Sequence, residues 1–254
     1  FMRSVLVLLR TSVQEMFRDR TVSLIFFSAL ALVAISSLLG SLSFDEQRRI
    51  LIHLGFGAIH WSALGLVLFQ GAFVIQREVD RQTCLMVLAR PISRAQFLLG
   101  KFLGIVFVVT AHLVLTGFLL YLLLGFTVPA GRFIWVLAGM LLELIVILAF
   151  VSFICQWVRP VVGVVGGFSL FLVGNWLQEM QFLAIRGKDE GFRMITEIFQ
   201  YAFPNFYRLN FRSESFIDGL STPDLMGMTA IHFVLWLVLF VFLASVSFTR
   251  RDLV

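Results

Sequence analysis

The sequence predicts an all-α, polytopic membrane protein, and three observations carry that expectation. Of 254 residues, 59% are hydrophobic and 14% are charged, whereas a soluble domain runs near 45–50% apolar and about 25% charged. Mean hydropathy is +0.96. Long apolar blocks recur from one end of the chain to the other. So much apolar surface has to face lipid, which excludes an ordinary cytosolic enzyme. The 29 Phe, five Trp and three Tyr fit the same class. A single membrane domain over residues 1–254 is expected.

Residues 1–20 are too polar to cross a bilayer. Leu6, Leu9, Val13, Met16 and Phe17 recur at three- and four-residue steps, and Arg3, Arg10, Gln14 and Arg18 form a second stripe. That pattern predicts a helix lying in the interface, with an extension of the first span as the alternative. A hydrocarbon core about 30 Å thick needs about 20 apolar residues of helix. Six segments qualify: Thr21–Leu42, His53–Ile75, Phe97–Gly125, Phe133–Phe153, Val161–Leu177 and Leu225–Phe248. The third is long enough to tilt, and the fifth is short and could continue through Phe182. No cleavable leader is recognisable, so the chain is expected to insert through its own spans.

Cations near the span ends set the orientation. Arg3, Arg10, Arg18 and Arg20 share a side with Arg77, Arg81, Arg90, Arg94, Lys101, Arg159, Arg250 and Arg251. The opposite side has fewer cations, and its long loop mixes them with carboxylates. Positive-inside bias then predicts both termini in the cytoplasm. Cys84 and Cys155 fall on or near that side, consistent with free thiols.

Two connecting segments stand out. In residues 76–96 a charged stretch, Arg77-Glu78-Val79-Asp80-Arg81, precedes a short apolar run from Thr83 to Ala89. Thr83 is suited to an N-cap. Pro91 stops the run and biases Arg90 toward extended backbone. Ser93 with Gln96 forms a capping box that starts the next helix. Leu85, Met86 and Leu88 then need cover from the lipid interface or from a groove in a partner protein. On the other side, residues 178–224 form an extracytoplasmic loop. It holds an amphipathic stretch (Phe192, Ile195, Phe199, Ala202) and a Thr222-Pro223 helix start. The loop is expected to be an external cap without a core of its own.

Polar residues inside the spans are the candidates for chemistry. Glu143 lies midway through span four, where a charged carboxylate is costly. It is read either as a pathway or gating residue, or as a neutral acid bonded to a neighbouring helix. His60, His112 and His232 lack metal-ligand spacing and are read as packing residues. Gly163, Gly167 and Gly174 share one face of span five, and Gly100 with Gly104 repeats the small-xxx-small spacing; these pairs suit close helix approach, within the chain or between copies. There is no phosphate-binding Gly-x-x-x-x-Gly-Lys-Ser/Thr and no Gly-x-Ser-x-Gly. No catalytic residue and no metal site is assigned.

Glu78, Thr83, the run Leu88-Ala89-Arg90-Pro91-Ile92-Ser93-Arg94 and the run Leu98-Leu99-Gly100-Lys101-Phe102-Leu103-Gly104 resemble the cytoplasmic signature of ABC type-2 permeases. Gln82 departs from the family's usual Gly, and Cys84 from its common Leu. The layout resembles the family over the whole chain, and small permeases of nitrous oxide reductase maturation or gliding clusters most of all. The resemblance implies a permease half, an exporter in a bacterial inner membrane, pairing with a second permease copy and with a separate ABC ATPase dimer that binds ATP and Mg. It implies no cofactor in this chain and no nucleic-acid partner. Thr83–Ala89 would be the coupling helix, with Glu78, Arg81, Thr83, Leu85, Leu88, Arg90 and Arg94 forming the ATPase contact. Gly163, Gly167 and Gly174 would lie at the dimer interface. The alternative is a subunit that transports nothing and relays ATPase work to a periplasmic partner. A third possibility is an intramembrane enzyme using Glu143 and the histidines.

Overall fold

The computed structural model describes residues 2–42, 47–80, 93–187, 190–211 and 223–250. These residues form eight α-helices and one 3-10 turn: α1 Met2–Arg18, α2 Arg20–Ser41, α3 Gln47–Asp80, α4 Arg94–Leu123, α5 Ala130–Ile154, α6 Pro160–Gly187, α7 Glu190–Ala202, the turn Phe206–Leu209 and α8 Pro223–Arg250. Six helices are long and apolar enough to cross a membrane. They are α2 to α6 and α8, the six expected from the sequence.

The helix boundaries have local causes. Asp19 leaves the helical conformation and caps α2, its side chain accepting from the Thr21 N–H. The α1 direction therefore ends there instead of running on as a longer first span. Ser93 and Gln96 form the expected capping box at α4, with both reciprocal bonds present. Beyond α4 the chain reverses through Gly125 and Phe126, both left-handed (φ 61° and 58°). Phe126 is held in that unusual conformation for a bulky residue by an edge contact to Tyr121, whose hydroxyl donates to the Val128 carbonyl.

Helices α3, α4 and α5 form the centre of the bundle, and α2, α6 and α8 are more exposed. Helix α2 packs on α3, and α8 packs on α5. Gln156 ties the latter pair by donating to the Ala244 carbonyl, and Phe97 stacks on Phe248 to join α4 to α8. Leu24, Phe27, Leu38, Leu235, Val238 and Phe242 point outward from the peripheral helices, as lipid-facing residues do.

Helix α1 has a partner within the chain. It seats on the start of α4, with Leu8 against Gly100 and Ser12 against Gly104. Its buried row is Leu8, Ser12 and Met16, while Leu6 and Phe17 of the expected apolar stripe are exposed. A serine serves the closest approach because Gly104 leaves no room for a larger side chain. The Gly100/Gly104 spacing is thus filled from within the chain.

The expected external loop also needs correction. Its first ten residues continue α6 to Gly187, and Glu190–Ala202 is the predicted amphipathic helix. Residues 203–211 then re-enter the bundle. Phe206 and Leu209 are buried, the Leu209 carbonyl and the Phe211 ring lie against Gly139 of α5, and Phe206 lies against Gly174 of α6. Gly139 stands about 14 Å of helical rise from the start of α5. Non-helical backbone at such depth is tolerated where protein surrounds it, and two glycines provide the space.

Candidate functional site

Glu143 is 3% exposed, so its carboxylate needs partners from neighbouring helices. Two supply them. His60 of α3 places Nε2 3.1 Å from Glu143 Oε2. Asn175 of α6 donates from Nδ2 to Glu143 Oε1 at 2.9 Å, and the same nitrogen donates to the Phe171 carbonyl at 3.0 Å. Phe171 also sets its ring edge-on to His60, 5.4 Å between centroids. Three helices thus converge on one acid. The re-entrant segment closes the remaining side, where Leu209, Asn210 and Phe211 line a cavity of about 10 Å³ together with Glu143, His60 and Asn175. That volume holds at most about one water.

Buried His112 and partly buried His232 are separate from this cluster. His112 meets the Ser62 hydroxyl at 3.0 Å. His232 accepts from Trp236 Nε1 at 3.2 Å. Both agree with a packing role.

A second polar cluster gathers where α1, α3 and α4 meet. Arg77 Nη1 lies 2.7 Å from Asp19 Oδ2, and Gln70 Nε2 donates to the same oxygen at 3.3 Å. Lys101, 3% exposed, extends Nζ to Glu15 Oε2 of α1 at 2.7 Å. These bonds brace the ends of α3 and α4, between which residues 81–92 run. Burial alone would raise the Asp19 carboxyl. The bonds from Arg77, Thr21 and Gln70 outweigh it and hold Asp19 at about 2, below the ordinary 3.8. A depressed carboxyl contributes stability above 3.8 that is lost as pH falls toward 2. Asp19→Asn keeps an N-capping side chain, so it isolates the ion pair. It is expected to cost about 1 kcal/mol or less at neutral pH, since Arg77 is half exposed. Melting curves of the two chains should converge between pH 3.8 and 2; a difference that persists at the acid end would assign the cost to something other than the charge.

A family model described as ABC-2 family transporter protein matches residues 31–253. The chain belongs to the ABC-2 transporter family. No curated protein matches it. As an ABC-2 permease it is a multi-pass membrane transport subunit, and members of the family generally work with an ABC ATPase.

The residues singled out for ATPase contact lie at the braced end of this ABC-2 permease or beyond the described residues. Glu78 is in the last turn of α3. Arg81, Thr83, Leu85, Leu88 and Arg90 lie outside the described residues. Arg94 opens α4, and its Nη1 donates to the Thr249 carbonyl of α8 at 3.2 Å. The three glycines expected at the dimer interface face the chain itself. Gly163 lies against Cys155, Gly167 against Val151 and Leu68, and Gly174 against Phe206 and the Pro204 carbonyl. A Cβ at Gly167 would come 2.7 Å from Leu68 Cδ2, so glycine there admits α3 and α5. The outward face of α6 is instead Val161, Val165 and Trp176.

Sequence reasoning missed the partners of Glu143. A usable signal was present: His60 and Glu143 each stand thirteen residues beyond the first residue of their helices, α3 and α5. Both helices start at the same end of the bundle, so equal counting gives equal depth. Asn175 had no comparable signal, because its contact depends on how α6 packs. Asp19, Glu15 and Gln70 were not singled out from the sequence, since their bonds join segments far apart in the chain.

Proposed function

We propose that this permease is one half of an ATP-driven exporter in a bacterial inner membrane, with residues 76–96 seated on a separate ATPase dimer that binds ATP and Mg. One observation supports this most: the connection between α3 and α4 in this ABC-2 chain is flanked by ion pairs to Glu15 of α1 and to Asp19, the residue that joins α1 to α2. A force applied there reaches α3, α4 and α1 together instead of bending a slack loop. In this reading that end and both termini face the cytoplasm, the orientation that the distribution of Arg and Lys favours. A second permease copy pairs along the outward faces of α2 and α6. ATPase closure rocks the two halves as rigid bodies.

The experiment is co-purification of the intact complex. Leu85→Asp or Leu88→Asp places a charge on the apolar side of Thr83–Ala89. Either is expected to lower ATPase recovery at least tenfold, because a buried unpaired charge costs several kcal/mol, while the melting temperature of the permease is unchanged. Full recovery of ATPase with either variant refutes the coupling-helix assignment.

A force-relay subunit is the second reading, favoured by the re-entrant segment. Its contacts at Gly139 and Gly174 join α7 to α5 and α6, so a tilt of these helices would move the external helix. An extracytoplasmic protein recovered with the complex would select this reading.

A further inference from the structure

A cavity of about 240 Å³ opens between α2 and α4, beside the end of α1. Leu66, Val108 and His112 form its buried floor, and Phe17, Phe27 and Leu115 its exposed rim. An apolar cavity of about 150 Å³ already takes up benzene, so this one has room for part of a ligand larger than that. It begins just inside Asp19, whose pairing with Arg77 marks the water-facing end of α2. Phe27 stands eight residues beyond Asp19, about 12 Å of helical rise. The cavity therefore lies where headgroups give way to acyl chains, with its rim turned to the lipid. Its described lining residues are all uncharged.

Packing uses one nitrogen of the His112 ring and leaves the other over. Ser62 Oγ donates to the Ile59 carbonyl at 2.9 Å and lies 3.0 Å from His112 Nε2. A hydroxyl has one hydrogen. With that hydrogen given to Ile59, Ser62 accepts from the ring, and Nε2 is the nitrogen that carries the ring's hydrogen. No carboxylate lines the cavity to balance an imidazolium, so the ring is neutral and Nδ1 is a bare acceptor. Among the described residues Nδ1 has no hydrogen-bond partner, and water does not reach it. An acceptor buried without a donor is both rare and costly.

We propose that this cavity binds a neutral lipid alcohol of the diacylglycerol type, its hydroxyl donating to His112 Nδ1 and its apolar body lying between α2 and α4. The ligand has to bring a donor because Nδ1 can only accept. It has to be neutral because the lining offers no counter-charge, and apolar elsewhere because the floor and rim are hydrocarbon. The ring beside the imidazole is that of Phe26, edge-on at 5.9 Å between centroids and only partly buried. The hydroxyl reaches Nδ1 by displacing that edge. The site depends on neither function proposed above.

The test is photocapture by the full chain in phosphatidylcholine nanodiscs, using a diacylglycerol with a diazirine in one acyl chain. Adducts are expected on Phe17, Phe26 and Leu115. Unlabelled dioleoylglycerol should displace the probe about tenfold better than its acetyl ester, which keeps the apolar body and lacks the donor; that factor is the worth of one hydrogen bond to a buried acceptor. His112→Phe keeps a ring and removes the acceptor, so alcohol and ester should then compete equally. Equal competition in the parent chain overturns the proposal, as does a preference for the alcohol that survives in His112→Phe. Adducts spread evenly over the lipid-facing helices overturn it too. Should His112→Phe fail to fold, Ala111→Phe fills the cavity from its lining instead; it is expected to abolish the cavity adducts, and their persistence would overturn the assignment.

Discussion

Gly139→Ala is expected to unseat residues 203–211. An added Cβ at Gly139 would overlap the Leu209 carbonyl and come 2.7 Å from Phe211 Cδ2. The ring can turn, but the carbonyl is backbone and cannot leave without moving the turn it belongs to. Overpacking of this kind costs about 1–3 kcal/mol. Gly57 of α3 has nothing within 4 Å of its added Cβ, so Gly57→Ala should be neutral or stabilising by up to about 1 kcal/mol, as alanine is in a helix interior. The pair of variants separates the seat from helix propensity. Melting in nanodiscs gives the energies, and maleimide labelling of Leu209→Cys, a position 2% exposed in the native chain, reports the lifting. Equal melting temperatures and equal labelling for both glycine variants would mean that the segment does not depend on this seat.

His60→Leu is expected to have the largest effect on stability. It leaves Glu143 with the Asn175 amide and an apolar side chain in place of the imidazole, and breaking a buried pair from one side costs about 3–5 kcal/mol. Glu143→Gln in the same chain should recover most of the loss, because a neutral amide fills nearly the same volume and needs no counter-charge. The coupling from the four-chain cycle, read by unfolding in micelles, is expected to exceed about 1.5 kcal/mol. Additive losses would show that the two residues act through packing alone. Asn175→Ala offers a contrast of smaller size, about 1–3 kcal/mol for one lost hydrogen bond to a buried acceptor.

Most of the architecture was legible in the sequence because it depends on local chemistry. Six runs of apolar residues gave six spans, Ser93 with Gln96 gave the start of α4, and Phe192 to Ala202 gave α7. What depends on contact between distant segments was not legible. The spacing of Gly163, Gly167 and Gly174 announced a close approach, yet it could not say whose side chains would fill the space; Val151, Leu68 and Phe206 of the same chain do. The stretch around Phe203-Pro204-Asn205-Phe206 carries Pro and Asn and has no helical period, so it read as an external loop. Its burial depends on Gly174 and Gly139, 32 and 67 residues before Phe206, and no periodicity links those glycines to it.

The seat of α1 on Gly100 and Gly104 also bears on biogenesis. Leu8 leaves the ribosome ninety-two residues before Gly100, a delay of about 5–20 s at ordinary elongation rates. During that interval its docking partner does not yet exist, and the amphipathic segment has the headgroup region as its shelter. Residues 102–254 are still to be made when Lys101 is added, so capture by α4 can precede the synthesis of α5 to α8 and let the Lys101–Glu15 bond close before most of the bundle exists.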